Sequence, residues 1–476
     1  MTTLKPYPAY RDSGVEWFGA VPEHWESHRL KTVAMILPGA TPKSDNPDFW
    51  NGDILWATPE DVSKSARLTS TRRTITQDGL DSCAAIESPP GSVIVTCRAP
   101  IGNVSIAVQP MATNQGCKTA VPNAACITTE FLFRSLCCVK AELQSLGTGS
   151  TFAEISATKF SAVGIPLPPF SEQRAIASFL GAMDARITRF IAARKKMIRL
   201  LEEKKQAVIN QAVTKGLDPT VPMKDSGVDW LGEIPAHWDY AAVGRYWKVA
   251  DCKHVTVPFV SPDTDTVPLA SVVQAQSFDL DLAGARHTTK EWYRFLIEGG
   301  RKPQNGDLIF CRNVSVGSTA YVGANVQFAM GQDVCLLSSS SRDSRFLNYC
   351  LAGGPLRRSI DMLLVGSTFH RINVAEIRTL KLPLPPDRRE QRSITAFLDR
   401  EVSRFDSITE RSRREIELMQ EYRTRLISDV VTGKLDVRGV NLGGLPDFDK
   451  IPEPDDADDR AADNDGVLIG DIGEHT

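Results

Sequence analysis

The chain repeats itself once over almost its whole length. Residues 13–25 read SGVEWFGAVPEHW, and residues 226–238 read SGVDWLGEIPAHW. GSTF, PLPP and EQR then follow in the same order in both halves, at separations of 217 or 218 residues. Because this unit is far longer than a solenoid repeat, the sequence predicts two similar globular units. Two similar surfaces on one chain suit a target with two separated half-sites.

The net charge of −3 conceals an uneven distribution. Residues 439–476 hold 11 acidic and two basic side chains, so the rest of the chain carries a small positive excess. A mild positive charge permits nucleic-acid binding without demonstrating it. The acidic segment has too few apolar residues to bury, which predicts a disordered tail. That tail either aids solubility or competes with a polyanion for the basic surface.

The cysteines and the apolar segments indicate the compartment. None of the 10 cysteines forms a Cys-x-x-Cys pair, and Cys97 and Cys311, which follow apolar runs, are expected to be buried thiols. No segment reaches the roughly 18 apolar residues that cross a bilayer, and the N-terminus lacks the apolar core of a signal peptide. We therefore expect a reduced, cytoplasmic protein without a metal site.

Each repeat combines two kinds of sequence. The variable blocks contain short apolar runs separated by Pro, Gly and Asn, which predict α+β domains with many short strands. Each PLPP is followed by about 42 residues almost without Gly or Pro and with an apolar seam at heptad-like spacing, with Ser171 as the expected N-cap of the first helix. We expect the two long helices to pair as an antiparallel coiled coil between the two domains. The predicted segments are an N-terminal segment (1–25), a first domain (26–165), a central long helix and linker (166–217), a repeat of the N-terminal segment (218–238), a second domain (239–382), a C-terminal long helix (383–438) and the acidic tail (439–476).

The usual catalytic motifs are missing from the sequence. It contains no phosphate-binding G-x-x-x-x-G-K-[ST] loop and no G-x-G-x-x-G after a strand. It also lacks the Asp/Asn-Pro-Pro-aromatic loop that an amino-methyltransferase needs to hold its target amine. His24 and His28 lie four residues apart, but two histidines alone are weak evidence for a metal site. The sequence therefore favours a binding protein over an enzyme.

The order of these motifs resembles the specificity subunit of type I restriction–modification enzymes. The resemblance covers about residues 13–438 and includes DILW after NPDFWNG, RAPIG, NQG and GSTF. It implies that each variable block is a target recognition domain that reads one half of a bipartite DNA site. The paired helices would set the spacer and dock two adenine-N6 methyltransferase subunits that bind S-adenosylmethionine. Two motor-nuclease subunits that use ATP and Mg²⁺ would complete the restriction enzyme, and this chain would carry no catalytic site.

Two groups of residues are candidates for contacts. Base reading needs Arg, Lys, Asn or Gln on protruding loops, whereas phosphates are also bound by hydroxyls. The first group, the candidate DNA contacts, comprises Lys43, Arg98, Asn114, Gln115, Lys118, Ser150 and Thr151 in the first block and Arg312, Asn313, Gln332, Ser367, Thr368, His370 and Arg371 in the second. The second group, the candidate partner contacts on the helices, comprises Ile176, Leu180, Met183, Ile187, Phe190, Ile394, Leu398, Phe405 and Ile408.

Each candidate also has a structural alternative. The GSTF hydroxyls and Asn114-Gln115-Gly116 are equally consistent with plain turns. Arg98 and Arg312 are consistent with ion pairs inside their domains, and the helix seams with binding only each other. Two further function classes stay open: a coiled-coil scaffold that recognises proteins, and a self-sufficient modification enzyme. A steep loss of affinity with salt would separate DNA binding from the scaffold, and S-adenosylmethionine binding by the isolated chain would identify the enzyme.

Overall fold

In the computed structural model the chain divides into two compact units, and residues 4–147, 153–364 and 371–444 are described. Unit 1 comprises residues 1–194 and 415–476, and unit 2 comprises residues 195–414. Unit 1 therefore joins segments from both ends of the sequence. The backbone N–H of Asp436 donates a 2.8 Å hydrogen bond to the carbonyl of Lys5. The predicted tail, residues 439–476, lies outside the described residues from 445 onward.

Unit 1 contains two main sheets. The larger has five strands in the spatial order Ala34–Pro38, Cys117–Pro122, Val93–Thr96, Val104–Ala107 and Arg67–Leu68. The smaller has the order Met111–Thr113, Trp50–Ala57 and Arg73–Ile75. Two-stranded ladders join Tyr10–Asp12 to Ala20–Pro22 and Glu26–Arg29 to Gly164–Leu167. The shorter helices are Leu30–Val33, Pro47–Phe49, Pro59–Lys64, Gln77–Asp81, Thr129–Cys138, Lys140–Leu146, Ala157–Ser161 and Leu442–Gly444.

Over its described residues, unit 2 repeats this arrangement with one strand fewer in the larger sheet. Its larger sheet has the order Lys248–Asp251, Val334–Ser338, Leu308–Cys311 and Thr319–Tyr321. The smaller has the order Arg286–Thr289, Thr266–Ala270 and Ala329–Met330. Two-stranded ladders join Met223–Asp225 to Glu233–Pro235 and Asp239–Ala242 to Lys381–Leu384. The shorter helices are Val243–Tyr246, Gln274–Gln276, Lys290–Leu296, Ser344–Ala352, Gly354–Leu364 and Val374–Thr379.

Two long helices contribute to both units. The central long helix spans Phe170–Lys215 and the C-terminal long helix spans Arg388–Val431. Their segments run antiparallel inside unit 1, where Asp184 pairs with Arg423 and Arg194 pairs with Glu415. They also run antiparallel inside unit 2, where Lys205 pairs with Asp406 at 2.6 Å. These findings confirm the α+β class, the repeated domain and the two long helices.

The central helix begins two residues earlier than expected from Ser171 as its N-cap. It starts at Phe170, so Ser171 lies inside the first turn and does not cap it. The carbonyl of Pro169 accepts hydrogen bonds from the backbone N–H groups of Glu172 and Gln173, at 2.9 and 3.0 Å. The end of the PLPP segment therefore supplies the acceptor that the first turn needs.

Most of the apolar seam is buried within the chain. Seven of the nine candidate partner contacts are at most 7% exposed and pack in the core of their own unit: Ile176, Leu180, Met183, Ile187, Phe190, Ile394 and Leu398. The prediction that these seven bind a partner is wrong, because each seam meets the other long helix and the adjacent domain. Phe405 is half-buried and Ile408 is 38% exposed, while the neighbouring Thr409 is buried, so the seam of the C-terminal helix is shifted by one position there.

Candidate nucleic-acid interface

The described candidate residues of unit 1 lie together at one end of the five-stranded sheet. The strand Ala34–Pro38 ends there and the strand Cys117–Pro122 begins there, and Lys118 lies opposite Pro38 in the ladder. The turn at Asn114–Gly116 precedes that second strand and lies close to the loop that begins at Gly39. A Cβ atom at Gly39 would come within 1.9 Å of the carbonyl oxygen of Asn114, so only glycine fits this approach.

Side chains fix this loop and this turn. The indole of Trp50 donates a 3.2 Å hydrogen bond to the carbonyl of Lys43, whose side chain is exposed. The side-chain oxygen of Asn114 accepts a 3.0 Å hydrogen bond from the N–H of Gly116, so Asn114 shapes the turn as the structural alternative holds. Gln115 is exposed, and its side-chain carbonyl accepts a hydrogen bond from the hydroxyl of Thr41. The turn thus presents Gln115 at its apex.

Arg98 lies beside this turn and is paired within the domain. Its backbone N–H donates to the carbonyl of Gly116 at 3.2 Å, and its Nε is 2.9 Å from a carboxylate oxygen of Glu154. Both side chains remain about 40% exposed, at 42% and 38%. An ion pair this exposed contributes little to stability. The guanidinium of Arg98 therefore keeps N–H groups available at the same end of the sheet.

Unit 2 builds the same end of its sheet with different residues. The strand Lys248–Asp251 ends there, and the turn that carries Gln332 precedes the strand Val334–Ser338. Gln332 follows Gln115 by 217 residues, and both side chains are exposed. The Nε2 group of Gln332 donates a 2.9 Å hydrogen bond to the carbonyl of Val255. The two glutamines therefore occupy equivalent turns, but different atoms of each amide are engaged.

Arg312 does not lie at the surface. It is 4% exposed, and its guanidinium donates to the carbonyl of Ile372 and to the carboxylate of Asp251. Although burial opposes ionisation, hydrogen bonds from His254 and Arg312 hold the pKa of Asp251 below its usual value. A guanidinium buried in this way cannot reach a base edge, so we withdraw Arg312 from the candidate DNA contacts.

The position equivalent to Arg98 is Asn313, one residue beyond Arg312. The backbone N–H of Ile155 donates to the carbonyl of Cys97, whereas the N–H of Ile372 donates to the carbonyl of Arg312. The backbone β-bridge between Arg98 and Glu154 likewise corresponds to the backbone β-bridge between Asn313 and Arg371. Matching Cys97-Arg98 with Cys311-Arg312 by sequence motif would pair Arg98 with Arg312, whereas the backbone contacts shift this match by one residue. Arg371 is exposed and takes the place of a glutamate in unit 1.

Several candidates cannot be placed. Ser150, Thr151, Ser367, Thr368 and His370 lie outside the described residues, and so do both GSTF motifs. The described candidates that remain at the sheet ends are Lys43, Arg98, Gln115 and Lys118 in unit 1 and Asn313, Gln332 and Arg371 in unit 2.

The EQR motif proves to be a structural clamp that the sequence argument missed. The indole Nε1 of Trp25 donates a 2.9 Å hydrogen bond to Glu172 in unit 1, and Trp238 donates one of the same length to Glu390 in unit 2. Both tryptophans are fully buried. Each EQR motif thus ties the repeated SGV–HW segment to the start of a long helix. The recurrence of both motifs in the same order in the two halves was the available signal.

The glutamine of each EQR motif holds the recognition domain itself. The side-chain oxygen of Gln173 accepts from the N–H of Thr128, the N-cap of a domain helix, and its Nε2 donates to the carbonyls of Cys126 and Pro168. Gln391 makes the matching bonds to Asp343 and Pro385. Both glutamine side chains are fully buried, so each domain is fixed to its helix by a satisfied polar contact.

One group of side chains has donor atoms close enough to consider a metal. Among the described residues, Asp251, Cys252 and His254 bring their potential ligand atoms within 4.8 Å of one another. The carboxylate of Asp251 is already paired with the guanidinium of Arg312, whose positive charge opposes a cation. Burial also raises the pKa of the Cys252 thiol, which disfavours the thiolate that binds metals. This group is part of the ion-pair network at the end of the strand Lys248–Asp251.

Comparison with known proteins finds relatives along most of the chain. A family model described as the type I restriction modification DNA specificity domain matches residues 22–200 and 279–418. The chain is 24% identical over 437 residues to the MjaIX type I restriction enzyme specificity subunit of Methanocaldococcus jannaschii, with 88% of this chain and 95% of that protein covered. It is 29% identical over 151 residues to the HindI specificity subunit of Haemophilus influenzae, covering 31% and 33% of the two chains.

Two solved structures share the fold. A chain from a structure on complex assembly and conformational transition of a type I R-M system has a TM-score of 0.66 at 18% identity, with 87% of this chain and 99% of that chain covered. The HsdS subunit from Thermoanaerobacter tengcongensis has a TM-score of 0.53 at 17% identity, with 87% and 98% covered. Within the part of the chain that the structure describes, no helix is long and apolar enough to cross a membrane.

Proposed function

Because this chain belongs to the family of type I restriction–modification DNA specificity proteins, we propose that each of its two units reads one half of a bipartite, asymmetric DNA site. Membership makes the chain a DNA specificity subunit that acts with a methyltransferase and is not itself the catalyst. The observation that carries the proposal is the equivalence of Gln115 and Gln332. Each stands exposed at the apex of a turn at the same end of the main sheet.

The two glutamines are suited to read different groups. A glutamine that offers both its oxygen and its nitrogen can bind adenine through N6 and N7 in the major groove. The Nε2 of Gln332 donates to the carbonyl of Val255, so we assign its oxygen to accept from an exocyclic amine of adenine or cytosine. Gln115 has its oxygen engaged by Thr41, so its Nε2 would donate to a base acceptor. This difference supports an asymmetric site.

The basic residues around these turns suit phosphate contacts. Lys43 and Arg371 are exposed, and Lys118 is half-buried at the same sheet end as Gln115. Side chains of this kind set the register of a protein on the duplex and make affinity fall with salt. We therefore assign base reading to the glutamines and Asn313, and backbone positioning to the lysines and Arg371.

The partners follow from the same proposal. Two methyltransferase subunits would dock on the long helices, whose exposed apolar side chains include Leu200, Leu418 and Tyr422. Those subunits would bind S-adenosylmethionine, and two restriction subunits would use ATP and Mg²⁺ for translocation and cleavage. The long helices would set the length of the unread spacer. In this arrangement the chain supplies sequence choice and its partners supply the chemistry.

The test is the adenine methylation pattern of DNA from cells that express this chain with its methyltransferase subunit. The control omits this chain while the methyltransferase is still produced. A bipartite motif with a fixed gap, methylated only when the chain is present, supports the proposal and reveals both half-sites. Unchanged methylation, with both proteins shown to be associated, would overturn it and favour the protein scaffold.

A further inference from the structure

One apolar side chain projects from the candidate interface of unit 2. Val314 is 79% exposed, more than any other large apolar side chain among the described residues. It forms the tip of the loop that leaves the strand Leu308–Cys311 at the sheet end carrying Gln332. Single exposed apolar side chains are ordinary on protein surfaces and need no explanation by themselves. The backbone of Val314 is what makes this one informative.

Val314 adopts a conformation that its side chain disfavours. Its φ is +61°, a region that is a genuine outlier for a β-branched residue and that glycine or asparagine would occupy at lower cost. The N–H of Ser315 donates a 2.7 Å hydrogen bond to the carbonyl of Asn313, which closes a tight turn around Val314. Strained residues persist where the surroundings fix them and cluster at functional sites.

The surroundings of this turn are fixed on both sides. Asn313 accepts a 2.9 Å hydrogen bond from the N–H of Val314 through its side chain, and its backbone pairs with Arg371. On the other side Val316 is buried, and its carbonyl accepts a 2.8 Å hydrogen bond from Arg357. The backbone of Val314 is therefore held on both sides, while its side chain stays 79% exposed.

The neighbours of Val314 indicate what it faces. Asn313 and Arg371 flank it, and the carbonyl of Asp333, the residue after Gln332, accepts from the N–H of Arg312 at the base of the same loop. The tip is thus an apolar point beside the polar Asn313 and the charged Arg371. Base edges in the major groove carry hydrogen-bonding groups and one apolar group, the C5-methyl of thymine.

We propose that Val314 is a specificity-determining residue that packs against the C5-methyl of a thymine in the half-site read by unit 2. This inference rests on the proposed function and adds one base preference to it. It also accounts for the strain, since a glycine at this position would relax the backbone but would remove the two methyl groups that make the contact. Unit 1 has Ala99 at the equivalent position and would lack this contact.

The test uses the complex of this chain with its methyltransferase subunit on duplexes that contain the mapped site. Each thymine of both half-sites is replaced in turn by deoxyuridine, which removes only the methyl group. Binding is measured for the wild type, for Val314→Gly and for Val314→Ala. The alanine variant keeps a side chain on the turn and loses both methyl groups, so it separates loss of the apolar contact from added backbone freedom.

The expected result is a loss of about three- to fivefold in wild-type affinity at one thymine of a single half-site, since one methyl contact is worth about that much. Both variants should be insensitive to that substitution, and Val314→Gly should raise the unfolding temperature by about 2–4 °C. If wild type and variants respond alike at every position, the inference is overturned. If the bipartite motif has been mapped beforehand, the proposed function stands even when the inference about Val314 fails. If no bipartite motif is found, the proposed function itself is overturned.

Discussion

The indole Nε1 of Trp25 donates a 2.9 Å hydrogen bond to the carboxylate of Glu172, which lies 147 residues further along the chain. The same carboxylate accepts from the hydroxyl of Tyr7 and lies 2.7 Å from the ring of His24. Glu172 therefore gathers the N-terminal segment onto the first turn of the central long helix. The adjacent Gln173 accepts a hydrogen bond from the N–H of Thr128 and so attaches the recognition domain to the same helix turn.

We predict that Gln173→Leu destabilises unit 1 by roughly 2–4 kcal/mol. The substitution leaves the N–H of Thr128 and the carbonyl of Pro168 without their partners in a buried setting, and each such group costs about 1–3 kcal/mol. Thermal unfolding of the full chain measures the loss. Ser171→Ala, an exposed change in the same turn, is the control and should shift stability by less than about 0.5 kcal/mol. Equal stability of the two variants would contradict the clamp.

We predict that Gln115→Ala and Gln332→Ala each relax the methylated motif in one half-site only. Each glutamine stands on its own unit, and loss of one base contact costs about 1–3 kcal/mol at one position. Sequencing of methylated adenines in cells carrying each variant measures the change. Gln109→Ala is the matched control, because Gln109 is also exposed but follows the strand Val104–Ala107 at the opposite end of the sheet. Relaxation in both half-sites by one variant would contradict separate reading.

The sequence predicted the architecture better than the individual contacts. The repeat, the α+β domains and the two long helices follow from patterns that extend over many residues, which makes them robust to local error. The candidate Arg312 failed because motif matching aligned it with Arg98, whereas backbone hydrogen bonds align Asn313 with Arg98. A displacement of one residue in the alignment exchanges the buried Arg312 for the half-buried Asn313, and sequence spacing alone does not resolve it.

The apolar seam shows the same limit. Periodicity identified the helices, but it could not say whether the seam of Ile176 and Leu180 meets this chain or another. The structure answers this, because both residues are buried with Leu426 and Val430 in the core of unit 1. The EQR motif was recognised as a repeat, yet its polar contacts join residues more than 40 positions apart, such as Gln173 and Thr128. Such contacts follow from the tertiary fold and carry no local sequence signal.

We predict that Arg312→Met destabilises unit 2 by roughly 1–3 kcal/mol without changing the methylated motif. The substitution removes the buried guanidinium from the carboxylate of Asp251, which is 28% exposed and keeps His254 as a partner. It also removes the donor that Arg312 supplies to the carbonyl of Ile372. Thermal unfolding measures the loss of stability. Methylation is sequenced in cells grown at a temperature where the variant remains folded. Arg358→Met, at an exposed arginine of the same unit, should leave both readouts unchanged. A new base preference in the Arg312 variant would restore that residue to the DNA contacts.

We predict that Asp307 makes unit 2 less stable as the pH rises. Asp307 is 7% exposed, and its burial raises the pKa of the carboxyl to about 6, although a hydrogen bond from the N–H of Gln304 opposes the shift. The folded state therefore holds its proton at a pH where the unfolded chain, with its ordinary lower pKa, has released it. The stabilisation is present in acid and is lost as the pH rises through about 6.

The Asp307→Asn variant isolates this effect, because it keeps an acceptor for the N–H of Gln304 and cannot ionise. Between pH 5 and pH 8 the wild type should lose about 1.4 kcal/mol relative to this variant, which corresponds to about 3–6 °C in the unfolding temperature. Asp281→Asn is the control, since Asp281 also accepts a backbone hydrogen bond, from Ala283, but is exposed. A temperature difference between wild type and Asp307→Asn that stays constant across this range would show that Asp307 is ionised throughout, and its burial would then have to be offset by contacts beyond Gln304.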